Sequence, residues 1–258
     1  MSPSQKLFVF LRKHLRIVSL IRFINRTLRS LARFTHKLQF VIEWKFDNPE
    51  YFEHQMDLNY LWHTTRSSYP MERGVFSGFA LRNDLPPTGQ TLDLCCGDGF
   101  YSYYFYSKRS RKVVAIDFDK DVIKFARKNY GRAGNIDFLV GDIRNDIPEG
   151  PFDNIVWDAA IEHFTENEIK SLVNRIKSVL SADGILSGYT IVEPAHEGKH
   201  LHQHEYEFHN KEDLARFLSP HFKNDQVFST TYPDRTNLYF YASDSLLPFE
   251  RENSIVVR

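Results

Sequence analysis

Short apolar runs alternate with helix-like segments from Gln90 onward. Each run has the length and the β-branched content of a buried strand, whereas the segments between them place apolar residues at the three- and four-residue steps of a helix. The runs are TLDL, KVVAIDF, IDFLVGDI, FDNIVWDAAIEHF and GILSGYTIV. This alternation predicts an α/β fold with a mostly parallel sheet that is covered by helices on both faces.

Two of the predicted helices carry recognisable start signals. Asp119 stands at the N-cap position of DKDVIKFARKNYG, and Gly131 ends that helix. Thr165 and Glu168 form a capping box at the start of TENEIKSLVNRIKSVLSADG. Near the C-terminus, KNDQVFSTTY and TNLYFYAS are typical of two strands around a proline-containing turn. This last pair predicts an antiparallel addition at one edge of the sheet.

The N-terminal part of the chain is basic and periodic. Residues 7–42 carry apolar side chains at alternating steps of three and four, which predicts one long amphipathic helix. Residues 1–42 hold nine Lys or Arg and no Asp or Glu, so the rest of this chain of zero net charge is acidic. Three roles for this helix stay open. It could pack on the body or on a second copy in a homo-oligomer, it could bind an anionic membrane surface, or it could be a transit peptide. The acidic body argues against nucleic acid as a partner.

Between this helix and the α/β region lies a segment rich in aromatic residues. We expect a helical cap there, whose aromatic rings either form its own core or stack on a sugar or aromatic ring of a ligand. Arg66 and Arg73 are candidates to hold an anionic group such as a diphosphate. The aromatic residues are Trp44, Tyr51, Phe52, Tyr60, Trp62 and Tyr69.

The cysteines, Cys95 and Cys96, are neighbours in sequence, and adjacent cysteines rarely pair. The sequence therefore predicts no disulfide and a reducing, cytoplasmic setting. No stretch approaches the roughly 18 uninterrupted apolar residues of a membrane-spanning helix, and no secretory signal pattern is found. We expect a cytoplasmic protein that lies on the inner face of a membrane if the basic helix binds lipid.

The stretch TLDLCCGDGFYS joins a strand end to a turn that contains two glycines. In open parallel sheets, ligands bind outside the carboxyl ends of the strands, where the strand order reverses. Gly97 and Gly99 allow the backbone to approach a ligand without a Cβ in the way, and Asp93 can meet a cation. Asp117 ends the next strand, a position from which a carboxylate reaches ribose hydroxyls. Each residue alone could serve a turn or a cap, but together they favour cofactor binding.

Five segments in register resemble the S-adenosylmethionine-dependent methyltransferases of the Rossmann-like class I family. They are LDLCCGDGFYS, VVAIDFD, VGDI, FDNIVWDAAIEHF and LSADGILSGYTIV, and the resemblance covers residues 88–243. It implies S-adenosylmethionine as the cofactor and a seven-stranded sheet, mostly parallel with an antiparallel last strand, that carries an N-terminal helical extension. The predicted organisation is a basic amphipathic helix arm at 1–45, an aromatic-rich helical cap at 46–87 and a methyltransferase domain at 88–258.

The resemblance also implies which residues bind the cofactor. One departure concerns the loop after the first strand, because the family usually has glycine where this chain has Cys95. Carried over by position, the cofactor-binding residues are Asp93, Gly97 and Gly99 at the methionine end, Asp117 at the ribose diol, Asp142 with Ile143 at the adenine, and Asp158 with Ala159 beside the sulfonium.

Candidate catalytic residues follow the fourth and fifth strands. His163, next to Glu162, is either structural or a proton acceptor. In HLHQHEYEF the alternate histidines, the last of them His204, share one face of an extended segment, and Glu205 and Glu207 share the other. The segment is either a hydroxyl- or metal-binding cluster or a polar lid. We select His163, His204, Glu205 and Glu207 as catalytic candidates and assign no metal ligand, since a divalent metal is the less favoured alternative.

These features predict an O-methyltransferase that acts on a hydroxyl of a glycan or lipid-linked saccharide at a membrane face. An O-methyltransferase for a small molecule or quinone, working with a divalent metal, is the first alternative. A non-catalytic protein that binds the cofactor or a partner is the alternative of another class. The expected partners are a small-molecule or saccharide acceptor and an anionic membrane surface along residues 7–42, with no nucleic acid.

Overall fold

The computed structural model describes residues 20, 21, 23–32, 34, 35, 38, 69–81, 87–193, 203–233 and 235–247. The chain divides into two compact units, Met1–Thr64 and Thr65–Arg258. Residues 69–81, the described part of the predicted cap, belong to the second unit together with the sheet. Residues 7–19 of the predicted arm, the cap aromatics from Trp44 to Trp62, and Arg66 lie outside the described residues.

The second unit is built on one seven-stranded sheet. Its strands are β1 (Gln90–Leu94), β2 (Lys112–Asp117), β3 (Ile136–Val140), β4 (Phe152–Asp158), β5 (Leu180–Ile191), β6 (Asn224–Tyr232) and β7 (Arg235–Ser243). They lie in the order β3-β2-β1-β4-β5-β7-β6. The first five strands pair in parallel, and β7 is antiparallel to both of its neighbours, β5 and β6. The predicted α/β fold with a reversed last strand is confirmed.

Four α-helices accompany the sheet in the described part of this unit: α1 (Tyr69–Ser77), α2 (Lys120–Tyr130), α3 (Glu166–Val179) and α4 (Lys211–Leu218). The predicted start signals are present at two of them. The Asp119 side chain accepts the first free N–H groups of α2, and Thr165 and Glu168 form both hydrogen bonds of a capping box on α3. These local signals therefore position the helices that follow β2 and β4.

The fifth strand is longer than the sequence pattern predicts. It begins at Leu180, directly after α3, rather than at Gly184. Leu180 pairs with Phe152 at the start of β4, and an irregularity of register follows before the regular pairing resumes at Asn154. This extra pairing ends α3 early, because Leu180 has an extended backbone and cannot continue the helix.

Alternate residues of β7 pack into different hydrophobic clusters on the two faces of the sheet. Leu238, Phe240 and Ala242 lie in the main hydrophobic core, which also contains the apolar residues of α3 and α4. The alternate residues Tyr239 and Tyr241 lie in a second buried cluster. Because successive side chains of a strand point to opposite faces, the two clusters lie on opposite sides of the sheet. Aromatic residues thus line the face against which α1 packs.

The described residues between 20 and 38 in the first unit are helical. Two hydroxyls on this helix, those of Thr27 and Thr35, donate to backbone carbonyls of the helix itself. No helix among the described residues has the length and apolar character needed to cross a bilayer. The large apolar side chains of this segment are exposed: Leu20, Ile21, Phe23, Ile24, Leu28, Leu31, Phe34 and Leu38.

Candidate active site

The carboxyl ends of β1, β2 and β4 meet where the strand order reverses, between β1 and β4. Asp93 of β1 stands level with Ala115 of β2 and Val156 of β4. The chain that leaves β1 therefore turns over the edge at which a doubly wound sheet binds its ligand. Five predicted cofactor-binding residues lie in β1, in this turn or at the ends of the neighbouring strands: Asp93, Gly97, Gly99, Asp117 and Asp158.

The turn after β1 uses a left-handed backbone at Cys95, Gly97 and Gly99, whose φ angles are 56°, 54° and 79°. Side chains rarely adopt this region, so the conformation of Cys95 is one that glycine adopts without strain. Space is also limiting at Gly99, because a Cβ there would lie 2.5 Å from the ring of Phe138. The loop thus keeps a shape typical of glycine despite Cys95, and both Cys95 and Cys96 are free thiols, as predicted.

Asp117 holds this turn from the end of β2. One carboxylate oxygen accepts the N–H of Gly97 at 3.0 Å, and the other accepts the N–H of Asp119 at 2.9 Å. Burial raises the pKa of Asp117. Since a carboxylate oxygen has two acceptor directions, both oxygens keep capacity for a hydroxyl donor. The predicted ribose contact is therefore compatible with the hydrogen bonds that shape the loop.

Asp93 lies behind the turn and is only 3% exposed. The hydroxyl of Ser102 donates to it at 2.5 Å. Burial raises the pKa of Asp93 to about 8, and the charges of Asp158 and Asp117 contribute to the rise. The carboxyl is consequently protonated at neutral pH, and a cation placed beside it would favour the ionised form.

Asp158, at the end of β4, is paired inside the protein. Arg73 of α1 donates to one carboxylate oxygen from Nε at 3.1 Å and from Nη2 at 2.6 Å, and Ser77 donates to the other at 2.7 Å. The guanidinium lies over the rings of Tyr101 and Tyr189, 5.0 Å and 4.8 Å from their centroids. Asp158 therefore engages Arg73, which we had expected to hold an anionic ligand group.

Asp142 and Ile143 follow β3, where the resemblance places the adenine. Asp142 is partly exposed, and its carboxylate forms an ion pair with Arg144 at 3.1 Å. The side chain of Ile143 is 2% exposed and belongs to the main core. A ligand can reach the carboxylate of Asp142, whereas the Ile143 side chain serves packing.

A second polar group follows β4 and β5. One potential ligand atom from each of Glu162, His163 and His204 lies within 4.8 Å of the others. Nδ1 of His163 lies 2.9 Å from the carbonyl oxygen of Gln203, and Nδ1 of His204 lies 2.8 Å from a carboxylate oxygen of Glu193. The structure thus brings two of the predicted catalytic residues together, although His163 and His204 are far apart in sequence. We refer to Glu162, His163 and His204 as the His-Glu cluster.

Glu205 and Glu207 are not part of the His-Glu cluster. Their side chains line a shallow groove against α4, together with Asp213 and Arg216, whereas His204 is buried. The chain bends at Glu205 and Tyr206, whose N–H groups both donate to the Glu162 carbonyl oxygen, so the segment is not the extended one that the alternation assumed. The structure therefore does not support one catalytic set that contains all four predicted residues.

The donor set on the edge of the sheet fits S-adenosylmethionine. The cofactor carries a positive sulfonium, and Asp93 is a buried carboxyl beside the glycine turn. Gly97 and Gly99 keep the turn free of side chains, while Asp117 retains acceptor capacity for hydroxyl groups. When bound, S-adenosylmethionine supplies an electrophilic methyl group on sulfur.

Comparison with known proteins agrees with this fit. Residues 91–184 match the family model described as a methyltransferase domain. The fold is similar to that of DhpI in its SAH complex, with a TM-score of 0.54 and 15% identity over 81% of this chain and 96% of that chain. It is also similar to the 1,6-didemethyltoxoflavin-N1-methyltransferase of Burkholderia thailandensis, with a TM-score of 0.53 and 17% identity over 74% of this chain and 87% of that one. No curated protein matches the sequence.

Residues 91–184 carry a methyltransferase domain on a Rossmann-like class I fold, and this domain is that of an S-adenosylmethionine-dependent methyltransferase. Because the solved structures are only distantly related in sequence, they show the fold alone and carry no information about the acceptor. The family match sets aside the non-catalytic alternative.

Several residues at this site were not predicted from the sequence. Ser102 contacts Asp93, Thr190 contacts Glu162 at 3.0 Å, and Glu193 contacts His204. Glu193 carried a weak signal, because it follows β5 as an acidic residue at a strand end. The role of Arg73 as the buried partner of Asp158 had no local signal.

Proposed function

We propose that the protein transfers the methyl group to a hydroxyl of a glycan or lipid-linked saccharide, and that it does so at a membrane surface. The observation that carries the hydroxyl assignment is the state of the two histidines in the His-Glu cluster. A carbonyl oxygen only accepts hydrogen bonds, so Nδ1 of His163 carries the proton that faces Gln203. Nδ1 of His204 lies 2.8 Å from Oε1 of Glu193, although these two atoms do not form a hydrogen bond.

This tautomer leaves Nε2 of His163 with its lone pair. Such a nitrogen can accept the proton that a hydroxyl loses when it is methylated. An amine acceptor that is already neutral needs no base before the transfer, so paired imidazoles supported by a buried carboxylate favour a hydroxyl. The cluster follows β4 and β5, on the same edge of the sheet as the predicted methyl-donor pocket.

The membrane part of the proposal rests on the helix between residues 20 and 38. Leu20, Ile24, Leu28, Leu31 and Leu38 recur at steps of three, four and seven, which places them on one face, and all are exposed. Thr27 and Thr35 fall within that face, but their hydroxyls are satisfied by the helix backbone. Basic residues at positions 22, 26, 29, 33 and 37 follow a separate stripe. This pattern favours a helix that lies in the headgroup region of an anionic bilayer.

A two-part experiment tests the proposal. Tritiated methyl donor is incubated with the full chain and anionic vesicles that carry polyprenyl-diphosphate-linked saccharides, and radioactivity is measured in the lipid fraction after acid release of the saccharide. We expect label in the saccharide, and more of it with the vesicles than with the free saccharide. Label in an amine, or in a free small molecule alone, would contradict the saccharide assignment.

Flotation with phosphatidylglycerol vesicles tests the membrane part separately. We expect the full chain to float with the vesicles and the double variant Leu28→Gln/Leu31→Gln to remain in solution. Asn25→Gln, on the polar side of the same helix, serves as the matched control and should float like the wild type. A wild type that stays in solution would remove the membrane from the proposal and leave O-methylation untouched.

A small-molecule or quinone-type O-methyltransferase with a divalent metal is the second candidate. The observation that favours it is the ligand chemistry of the His-Glu cluster, two imidazoles and one carboxylate. A panel of catechols and hydroquinones, assayed without vesicles, tests this candidate. Methyl transfer to members of the panel, without methyl transfer to saccharides, would favour this second function over the first.

A further inference from the structure

We propose that Glu162, His163 and His204 form a binding site for one divalent transition-metal ion. The structure places one potential ligand atom from each of them within 4.8 Å of the others. Glu162 and His204 are buried, and His163 is partly buried. Ligands held by a metal at about 2.0–2.2 Å lie roughly 3–4 Å apart, so a contraction of about 1 Å closes the site. Side-chain rotation of this size needs no change of the backbone.

The partners of the two rings prepare them as ligands. A histidine binds a metal in its neutral form, through the nitrogen that carries no proton, while the other nitrogen donates to a carbonyl or a carboxylate. His163 has Gln203 in that outer position, and His204 has Glu193, which is 2% exposed. The contact with Gln203 leaves Nε2 of His163 without a proton, and the Glu193 carboxylate lies beside the ring of His204 without a hydrogen bond between Oε1 and Nδ1.

The carboxylate ligand is oriented in the same way. Oε2 of Glu162 accepts the hydroxyl of Thr190 at 3.0 Å, and the Glu162 carbonyl accepts the N–H groups of Glu205 and Tyr206 at 2.8 Å and 3.1 Å. These bonds tie the turn after β4 to the segment that carries His204. The three candidate ligands are therefore held by contacts outside the cluster, as the ligands of a metal site usually are.

The ligand types restrict the ion. Two imidazoles and one carboxylate suit Zn²⁺, Mn²⁺ or Fe²⁺, whereas Mg²⁺ and Ca²⁺ prefer an all-oxygen set. Three protein ligands leave positions open for oxygen atoms of a substrate. An ion held here would occupy the imidazole lone pairs, so the ion rather than a histidine base would act on the acceptor. It would lower the pKa of the acceptor hydroxyl, whose proton leaves to water as the O–CH₃ bond forms and the S–CH₃ bond breaks. This role rests on the proposed O-methylation, whereas ion binding itself does not.

Calorimetric titration of Mn²⁺ and of Zn²⁺ into tag-free, chelator-stripped full-length protein tests the site. We expect one ion per chain with the wild type. Glu162→Gln, His163→Gln and His204→Gln should each weaken binding about 10-fold or more, and Glu193→Gln about 10-fold through the orientation of His204. His221→Gln, which alters a histidine outside the cluster, is the matched control and should bind like the wild type.

The outcomes separate this inference from the proposed function. No binding to the wild type, or equal affinity in the wild type and all three ligand variants, would overturn the metal site. Full methyl transfer by stripped protein in the presence of chelator would overturn the role of the ion in catalysis and leave the saccharide proposal standing. Melting curves recorded without the ion identify any variant that fails to fold, and Glu193→Gln then decides the case because it alters none of the three ligands.

Discussion

The cofactor side and the acceptor side of this site are built in different ways. On the cofactor side, the side chains contact residues nearby in the chain: Asp117 accepts from Gly97, 20 positions away, and Asp93 accepts from Ser102, 9 positions away. On the acceptor side the partners are more remote, as in the contact of Nδ1 of His163 with the carbonyl oxygen of Gln203, 40 positions away.

This difference has a chemical counterpart. The cofactor side is a turn whose backbone shape matters most, with glycine at two of its left-handed positions. The acceptor side is a set of side chains whose relative positions matter most, and its members come from the turn after β4 and from the segment after β5. A common cofactor can be held by a local motif, whereas an acceptor site assembled from separate segments can change without loss of that motif.

The largest effect should come from the buried pair of Arg73 and Asp158. Arg73→Met leaves the Asp158 carboxylate buried with Ser77 as its remaining partner, so we expect a loss of about 3–5 kcal/mol in the free energy of unfolding, measured with urea. Lys170→Met removes an exposed pair with Glu166 and should lower the free energy of unfolding far less than Arg73→Met does. Equal losses in the two variants would show that burial does not distinguish these pairs.

His204→Gln should separate the two sides by function. We expect methyl transfer to the vesicle-borne saccharide to fall about 100-fold, because the variant removes a group that holds or deprotonates the acceptor. His221→Gln is the control and should transfer like the wild type. Transfer at the wild-type rate by His204→Gln would remove the His-Glu cluster from the catalytic site.

The pH dependence of the free energy of unfolding should report the ionisation of the Asp93 carboxyl group on the cofactor side. The folded protein keeps this carboxyl protonated up to about pH 8, whereas an unfolded chain releases the proton near pH 4. Because the folded state binds more protons in this window, its stability falls as the pH rises from about 4 to 8. Between pH 6 and pH 8 we expect a loss of about 2 kcal/mol that is absent in Asp93→Asn. The control Asp137→Asn, at an exposed carboxylate, should show the wild-type dependence.

The smallest effect concerns the backbone of the glycine turn. Cys95 has a φ of 56°, so Cys95→Gly should relieve strain and raise the free energy of unfolding by about 0.5 kcal/mol, after the entropy cost of glycine. Cys96→Gly, at a buried neighbour without positive φ, should lower it. A lower stability for Cys95→Gly than for Cys96→Gly would indicate that packing of the Cys95 thiol outweighs strain.

The fold was predictable because its signals are local. The alternation of apolar runs and helical segments defined the parallel strands, and Asp119 and Thr165 marked two helix starts that the structure confirms. The start of β5 was less predictable, because Leu180 leaves the helix through a pairing with Phe152 of another strand. The pairing of two strands does not change the hydrophobic periodicity of either segment, so it cannot be predicted from that periodicity.

The acceptor side was predictable only in part, for the same reason. The alternation in HLHQHEYEF predicts opposite faces for His204 and Glu205 in an extended segment, but the chain bends at Glu205 and Tyr206, and the alternation does not say which side chain turns toward the site. The choice was made by the turn after β4, whose Glu162 carbonyl accepts the N–H of Glu205. Of the histidines in that stretch the structure describes His204, while positions 200 and 202 lie outside the described residues.

Calorimetric titration of S-adenosylmethionine into three proteins tests the division between the two sides most directly. The wild type should bind the cofactor, Asp117→Ala should bind it at least about 10-fold more weakly, and His204→Gln should bind it with wild-type affinity. Asp137→Ala, at an exposed carboxylate on β3, controls for the loss of a charge. Equal affinities in wild type and Asp117→Ala, or a larger loss in His204→Gln than in Asp117→Ala, would contradict the division of this site into a cofactor side and an acceptor side.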